Sequence, residues 1–104
     1  MPNPITLLAL DNSQAQFARN ASQRQRISLT KEGSSAPQHI VELDSNPIPI
    51  ETGRWSVLHE TLFQGNWVKG RGRRDSDYRA VFDDNPNGGD SDFNDAIVEF
   101  ATRP

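Results

Sequence analysis

The residues able to do chemistry are concentrated in one segment, VFDDNPNGGDSDFNDAIVEF, over positions 81–100. Asp90, Asp92 and Asn94 alternate there, and Asp95 follows directly. So many carboxylates on a short loop repel one another, because like charges a few Å apart disfavour joint ionisation. A bound cation offsets that cost. Ca²⁺ suits the cluster, since it takes roughly 6 to 8 oxygen ligands from carboxylates, amides and backbone carbonyls in flexible geometry, whereas Mg²⁺ keeps its waters and wants fewer protein ligands. An EF-hand is excluded: with Asp90 as the first loop position, the glycine position holds Asp95 and the closing glutamate position holds Ala101. An isolated Asp-Asp pair would read as a solvated acidic turn, but Asp-x-Asp-x-Asn-Asp behind Gly88-Gly89 reads as a metal loop.

Other chemistries find little support. There is no cysteine, which removes disulfides, thiolate zinc sites, iron–sulfur clusters and cysteine nucleophiles. His39 and His59 are isolated in sequence, without a second imidazole at ligand spacing, and receive no role. Ser34-Ser35 lacks a nucleophile context, and Gly70-x-Gly72 lacks the rest of a phosphate-binding loop. A carboxylate pair for glycoside hydrolysis needs environments that drive two pKa values apart, whereas a shared calcium ion would keep every aspartate ionised. Recognition without catalysis is the expectation, and the chain reads as a non-enzyme.

The elements that must position this loop follow from the rest of the chain. At 104 residues and 11.6 kDa it reads as a single domain over residues 1–104. The hydrophobic fraction is 34% and the mean hydropathy −0.73, so the core is thin, and no apolar run approaches the roughly 18 to 20 residues of a membrane span. The apolar patch Ile5 to Leu10 lacks a preceding basic region and is too short for a secretory core, so no classical signal peptide is expected. Short apolar runs recur at Ile5–Leu10, Arg26–Thr30, His39–Leu43, Arg54–Leu58, Thr61–Phe63, Trp67–Lys69, Tyr78–Phe82 and Ala96–Ala101. Several alternate polar and apolar, the period of a strand with one face on a core. Between them lie GSSAP, DSNPIP, QGN, KGRG and DDNPNGG, whose Gly, Pro and Asn suit turns. The stretch from Asp11 to Arg26 has no helical stripe and reads as strand and loop. The predicted fold is all-β, an antiparallel β-sandwich of short strands.

The run Asp90-Ser91-Asp92-Phe93-Asn94-Asp95-Ala96-Ile97-Val98 resembles the C-terminal signature of the bacterial calcium-dependent fucose- and mannose-binding lectins, Asp-x-Asp-Tyr-Asn-Asp-Ala-Val-Val. Phe82-Asp83-Asp84 with Gly88-Gly89 is also similar to a pattern in calcium-binding β domains of bacterial surface proteins. The lectin resemblance implies two adjacent calcium ions held by Asp90, Asp92, Asn94 and Asp95, with Asp83 standing where the family has Glu and Asn20 supplying an amide from an N-terminal loop. It also implies that Ala21, Ser22 and Gln23, following a Phe17-Ala18-Arg19-Asn20 that is similar to the family's Phe-Ala-Asn, contact the sugar together with Asp90, Asp92 and Asp95. A small apolar Ala21 tilts the implied preference toward mannose over fucose. The loop after Asp83 is longer than in those lectins, and the chain stops at Thr102-Arg103-Pro104, one residue shorter after the motif.

Charge is segregated along the chain. The net charge is −3, and five of the nine aspartates lie between Asp83 and Asp95, directly after the arginines 71, 73, 74 and 79. Those arginines, with Trp67 and Tyr78, could contact phosphates or stack bases, but an overall pI of about 5.2 and the adjacent acidic loop argue for a charge-balancing face. No nucleic-acid partner and no membrane insertion are expected. Trp55 reads as a core anchor, and Trp67 as the better candidate for a second contact. Three readings therefore stand: a calcium-dependent lectin for mannose- or fucose-type glycans, a structural or adhesive calcium module without sugar affinity, and an anion-binding β domain. For the first, oligomerisation is expected, because it buries surface of a thin-core domain and links weak sugar sites.

Overall fold

Alternation of apolar and polar side chains produces ten strands among the described residues. The computed structural model of the protein describes residues 5–20, 23–43, 45–83 and 95–103. They form β1 (Ile5–Ala9), β2 (Ser13–Arg19), β3 (Gln25–Lys31), β4 (His39–Glu42), β5 (Ile48–Ile50), β6 (Gly53–Phe63), β7 (Asn66–Lys69), β8 (Arg71–Ser76), β9 (Arg79–Asp83) and β10 (Ala96–Thr102). Among the described residues there is no helix. One sheet has the order β1-β6-β3-β4 with β7 also on β6, the other β5-β2-β10-β9-β8, and the pairs are antiparallel. The antiparallel sandwich expected from the sequence is the observed architecture.

The inner faces of the two sheets supply one core. Leu7, Ala9, Ile27, Leu29, Trp55 and Val57 face Ala15, Ile50, Ala80, Phe82, Ala96, Val98 and Phe100 across it. Full burial of a side chain such as Leu7, Ile27 or Phe82 stabilises by about 1.5–3 kcal/mol. Trp55 keeps its polar edge satisfied, since its indole nitrogen donates to the Glu51 carbonyl at 2.9 Å. β6 is long enough to hold two neighbours along one edge. Its first half pairs with β1, and its end turns back on β7 through Gln64 and Gly65, whose φ values of 51° and 82° give the doubly left-handed turn that matches strand twist.

Two strands lie where the sequence suggested turns or charge. β5 occupies the Pro-containing segment 48–50 and, among the described residues, pairs only with β2, so Pro49 sits on a sheet edge, the place where its missing N–H is tolerated. β8 carries arginines at 71, 73 and 74 and is the other edge of the same sheet, pairing among the described residues only with β9. An edge strand needs one backbone ladder and no apolar face, and its charges discourage pairing with another chain. The separate runs 54–58 and 61–63 are parts of the single strand β6.

Candidate functional site

The site is built at one end of the second sheet, where its three inner strands finish. β10 begins at Ala96, opposite Arg19 of β2 on one side and Phe82 of β9 on the other. One residue earlier, Asp95 lies between the ends of β2 and β9. The Asn20 amide donates to the Asp95 carbonyl at 2.9 Å, and the Asp95 amide donates to the Phe82 carbonyl at 3.1 Å. Asn20, Asp95 and Asp83 are thereby gathered along one end of the sheet, with the two feet of the acidic loop, Asp83 and Asp95, on adjacent strands. The next strand adds a cation: Arg71 is in register with Asp83, and its guanidinium donates to Asp83 Oδ2 at 2.7 Å. Asp83 is 1% exposed, and a carboxylate so buried requires a charged or hydrogen-bonding partner.

A second layer reaches the same place from the opposite sheet. Gln25 of β3 and His59 of β6 are 1% and 2% exposed and occupy the inward parity shared by Ile27, Leu29, Trp55 and Val57. Gln25 Nε2 donates to the Asp95 carbonyl at 3.2 Å, so that oxygen accepts from both Asn20 and Gln25. A carbonyl can only accept, which fixes the amide orientation and turns Gln25 Oε1 toward His59 Nε2, 2.6 Å away. His59 therefore carries its proton on Nε2 and donates to Gln25. Its Nδ1 is buried without a partner among the described residues, and the ring stacks on Phe82 at 4.7 Å between centroids. Burial pushes the His59 pKa down from 6.5 to about 4, while the charge of Asp83 pulls weakly upward.

Gly70 completes this layer. Its amide donates to the His59 carbonyl at 2.9 Å, and a Cβ there would lie 2.1 Å from His59 Nδ1 and 3.1 Å from the Asp83 carbonyl oxygen. Only glycine allows β8 to start this close to His59 and Asp83. The KGRG segment, expected as a turn, therefore contains a packing contact beneath the site.

Of the residues singled out in the sequence, Asn20, Asp83 and Asp95 are brought together, and Gln23 lies exposed just before β3. Asp90, Asp92, Asn94, Ala21 and Ser22 lie outside the described residues. Among the described residues no three acidic or imidazole side chains form a metal-binding group by themselves. Trp67 is half-buried rather than presented as a free platform, with the Arg26 guanidinium 4.4 Å from its ring centre and Arg26 itself paired to Glu60 at 2.8 Å. A cleft of about 470 Å³ opens beside Lys69, Gly70 and Arg71, but none of Asn20, Gln23, Asp83 or Asp95 lines it. Sequence reasoning missed Gln25 and His59. Their signal was parity, because polar residues at inward positions of alternating strands must find buried partners.

The fold has a solved counterpart. The chain is similar to the C-terminal domain of the BC2L-C lectin from Burkholderia cenocepacia, with a TM-score of 0.57 and 18% sequence identity over 96% of each chain. At that identity the likeness shows a shared fold. No protein-family model and no curated protein matches the sequence.

Proposed function

We propose that the protein is a calcium-dependent carbohydrate-binding domain that recognises monosaccharides of the mannose or fucose type. The observation that carries this reading is the gathering of Asn20, Asp95 and Asp83 at the two feet of an Asp-x-Asp-Phe-Asn-Asp loop. The shared fold with a lectin domain supports it. The donor set fits calcium, since every candidate ligand is a carboxylate or amide oxygen; Asp83, buried and paired with the Arg71 guanidinium, would share its carboxylate between that cation and the ion. Asp83, Asp90, Asp92, Asn94, Asp95 and Asn20 would hold the ions, in keeping with two in number. Calcium would supply positive charge that attracts and orients vicinal hydroxyls.

The protein's own residues would do the rest. Asn20 precedes the segment Ala21, Ser22 and Gln23, which would touch the sugar and tune its identity. Its backbone bond to Asp95 ties that segment to the metal loop, so metal and sugar contacts are coupled through one peptide group. No bond is broken in this scheme, and no catalytic residue is needed. Assembly of several copies would raise the avidity of weak single sites for multivalent glycans.

Calorimetric titration of mannose and fucose into calcium-loaded protein, repeated after chelation, tests the reading. Heat that disappears with EDTA supports it and ranks the sugars. Calcium heat with no sugar heat leaves the structural or adhesive calcium module. The tie between the two sheets at the loop's exit favours that second reading to this extent: an ion there would also lock the fold.

A further inference from the structure

We propose that Gln25 and His59, neither of which is a candidate ligand, are positioning residues that set the calcium affinity of the loop by holding its exit from the opposite sheet. The inference rests on the calcium reading and deepens it. The geometry is a chain of two hydrogen bonds from His59 Nε2 to Gln25 Oε1 at 2.6 Å and from Gln25 Nε2 to the Asp95 carbonyl at 3.2 Å. It starts on β6, passes through β3 and ends on the residue that closes the Asp-x-Asp-Phe-Asn-Asp run, on the other sheet.

The physical argument is one of direction and cost. Gln25 and His59 are fully buried, and a buried amide or imidazole costs free energy unless its polar atoms are paired. Gln25 meets that requirement only in one orientation, because the Asp95 carbonyl accepts and cannot donate. The orientation in turn requires the Nε2–H form of His59. That imidazole is itself wedged between Phe82, on which it stacks, and Gly70, which has no side chain to displace it. The pair is therefore a rigid strut with one usable geometry, and what it fixes is the peptide of Asp95. The Asp95 carboxylate is carried on that same residue, and Phe82, beneath the imidazole, directly precedes Asp83. Both feet of the loop are thus braced by the same two side chains. Groups that orient ligands without touching the ion commonly change metal affinity by roughly 10–100-fold when removed.

The test is calcium titration calorimetry of the whole chain, with the calcium-free melting temperature measured alongside, for the wild type, Gln25→Met, His59→Phe and Ile27→Val. Gln25→Met keeps the volume and removes both hydrogen bonds. His59→Phe keeps the ring on Phe82 and removes one bond while leaving Gln25 on Asp95. Ile27→Val trims a fully buried neighbour on the same strand without touching the strut. The expected result is calcium binding at least about 10-fold weaker in Gln25→Met, a smaller loss in His59→Phe, and wild-type affinity in Ile27→Val despite its lower melting temperature. Unchanged affinity in both strut variants, or an equal loss in Ile27→Val, overturns the inference while the calcium reading stands. Should Gln25→Met not fold, His59→Phe against Ile27→Val decides the matter in the same way. Absence of calcium heat in the wild type removes the calcium reading and this inference together.

Discussion

Acid should weaken the calcium-free protein through His59, and a His59→Phe variant should lose that part of the sensitivity. Burial holds the imidazole at a pKa of about 4 in the folded chain against its ordinary 6.5, so the unfolded chain binds a proton that the folded chain refuses over this window. Stability therefore rises with pH between the two values, and falls as the pH is lowered from about 6.5 toward about 4. At about 1.4 kcal/mol per pKa unit, acidification from about pH 7 to about pH 4.5 costs the wild type roughly 2 kcal/mol through this group. For a domain near this size that is a difference of about 10 °C in melting temperature. Carboxylates remote from His59 are common to both proteins and largely cancel in the comparison. Urea unfolding of each protein across that pH range, in calcium-free buffer, measures the difference. His59→Phe starts less stable, because Gln25 Oε1 loses its donor, yet its curve against pH should be flatter by that amount. Parallel curves for the two proteins would refute the neutral, single-proton state assigned to His59; the orientation of Gln25 rests on the Asp95 carbonyl and would stand.

Further expectations concern the surrounding residues. Gly70→Ala forces a Cβ against His59 Nδ1 and the Asp83 carbonyl and should destabilise by about 1–3 kcal/mol, read from denaturant midpoints; a neutral result would show that β8 can shift freely. Arg71→Met removes the guanidinium from Asp83 and should lower calcium-free stability by about 1 kcal/mol, a figure discounted because the arginine is 41% exposed. Saturating calcium should shrink that loss by supplying the positive charge, whereas equal losses with and without calcium would separate Asp83 from the metal. Asp92→Ala should abolish both calcium and sugar heat in calorimetry, and retention of either would remove Asp92 from the ligand set.

The fold was legible wherever alternation was carried by side chains with a clear preference. Segments 25–31 and 53–63 announce themselves because Ile27, Leu29, Trp55 and Val57 recur at every second position. β5 and β8 were not legible, since an edge strand is defined by its backbone partner, and Pro49 and the arginines of β8 conceal it. The acidic loop was conspicuous in the sequence because its charge demands compensation. The structure adds the adjacency of its feet, which depends on β2, β10 and β9 lying side by side, a long-range pairing that no local pattern encodes. Gln25 and His59 are separated by the length of β4 and β5 and the connections around them. Only the β3–β6 register, with Gln25 opposite Thr61 and Ile27 opposite His59, makes them neighbours. Arg71 looked like part of a solvated face, and its pairing with Asp83 follows from the β8–β9 register.

The most direct test of the central claim is calorimetric titration of mannose, and separately fucose, into the calcium-loaded protein before and after EDTA. The account predicts saturable heat for at least one sugar with calcium present and none after chelation. Sugar heat that survives chelation, or no sugar heat in protein that demonstrably binds calcium, would contradict it.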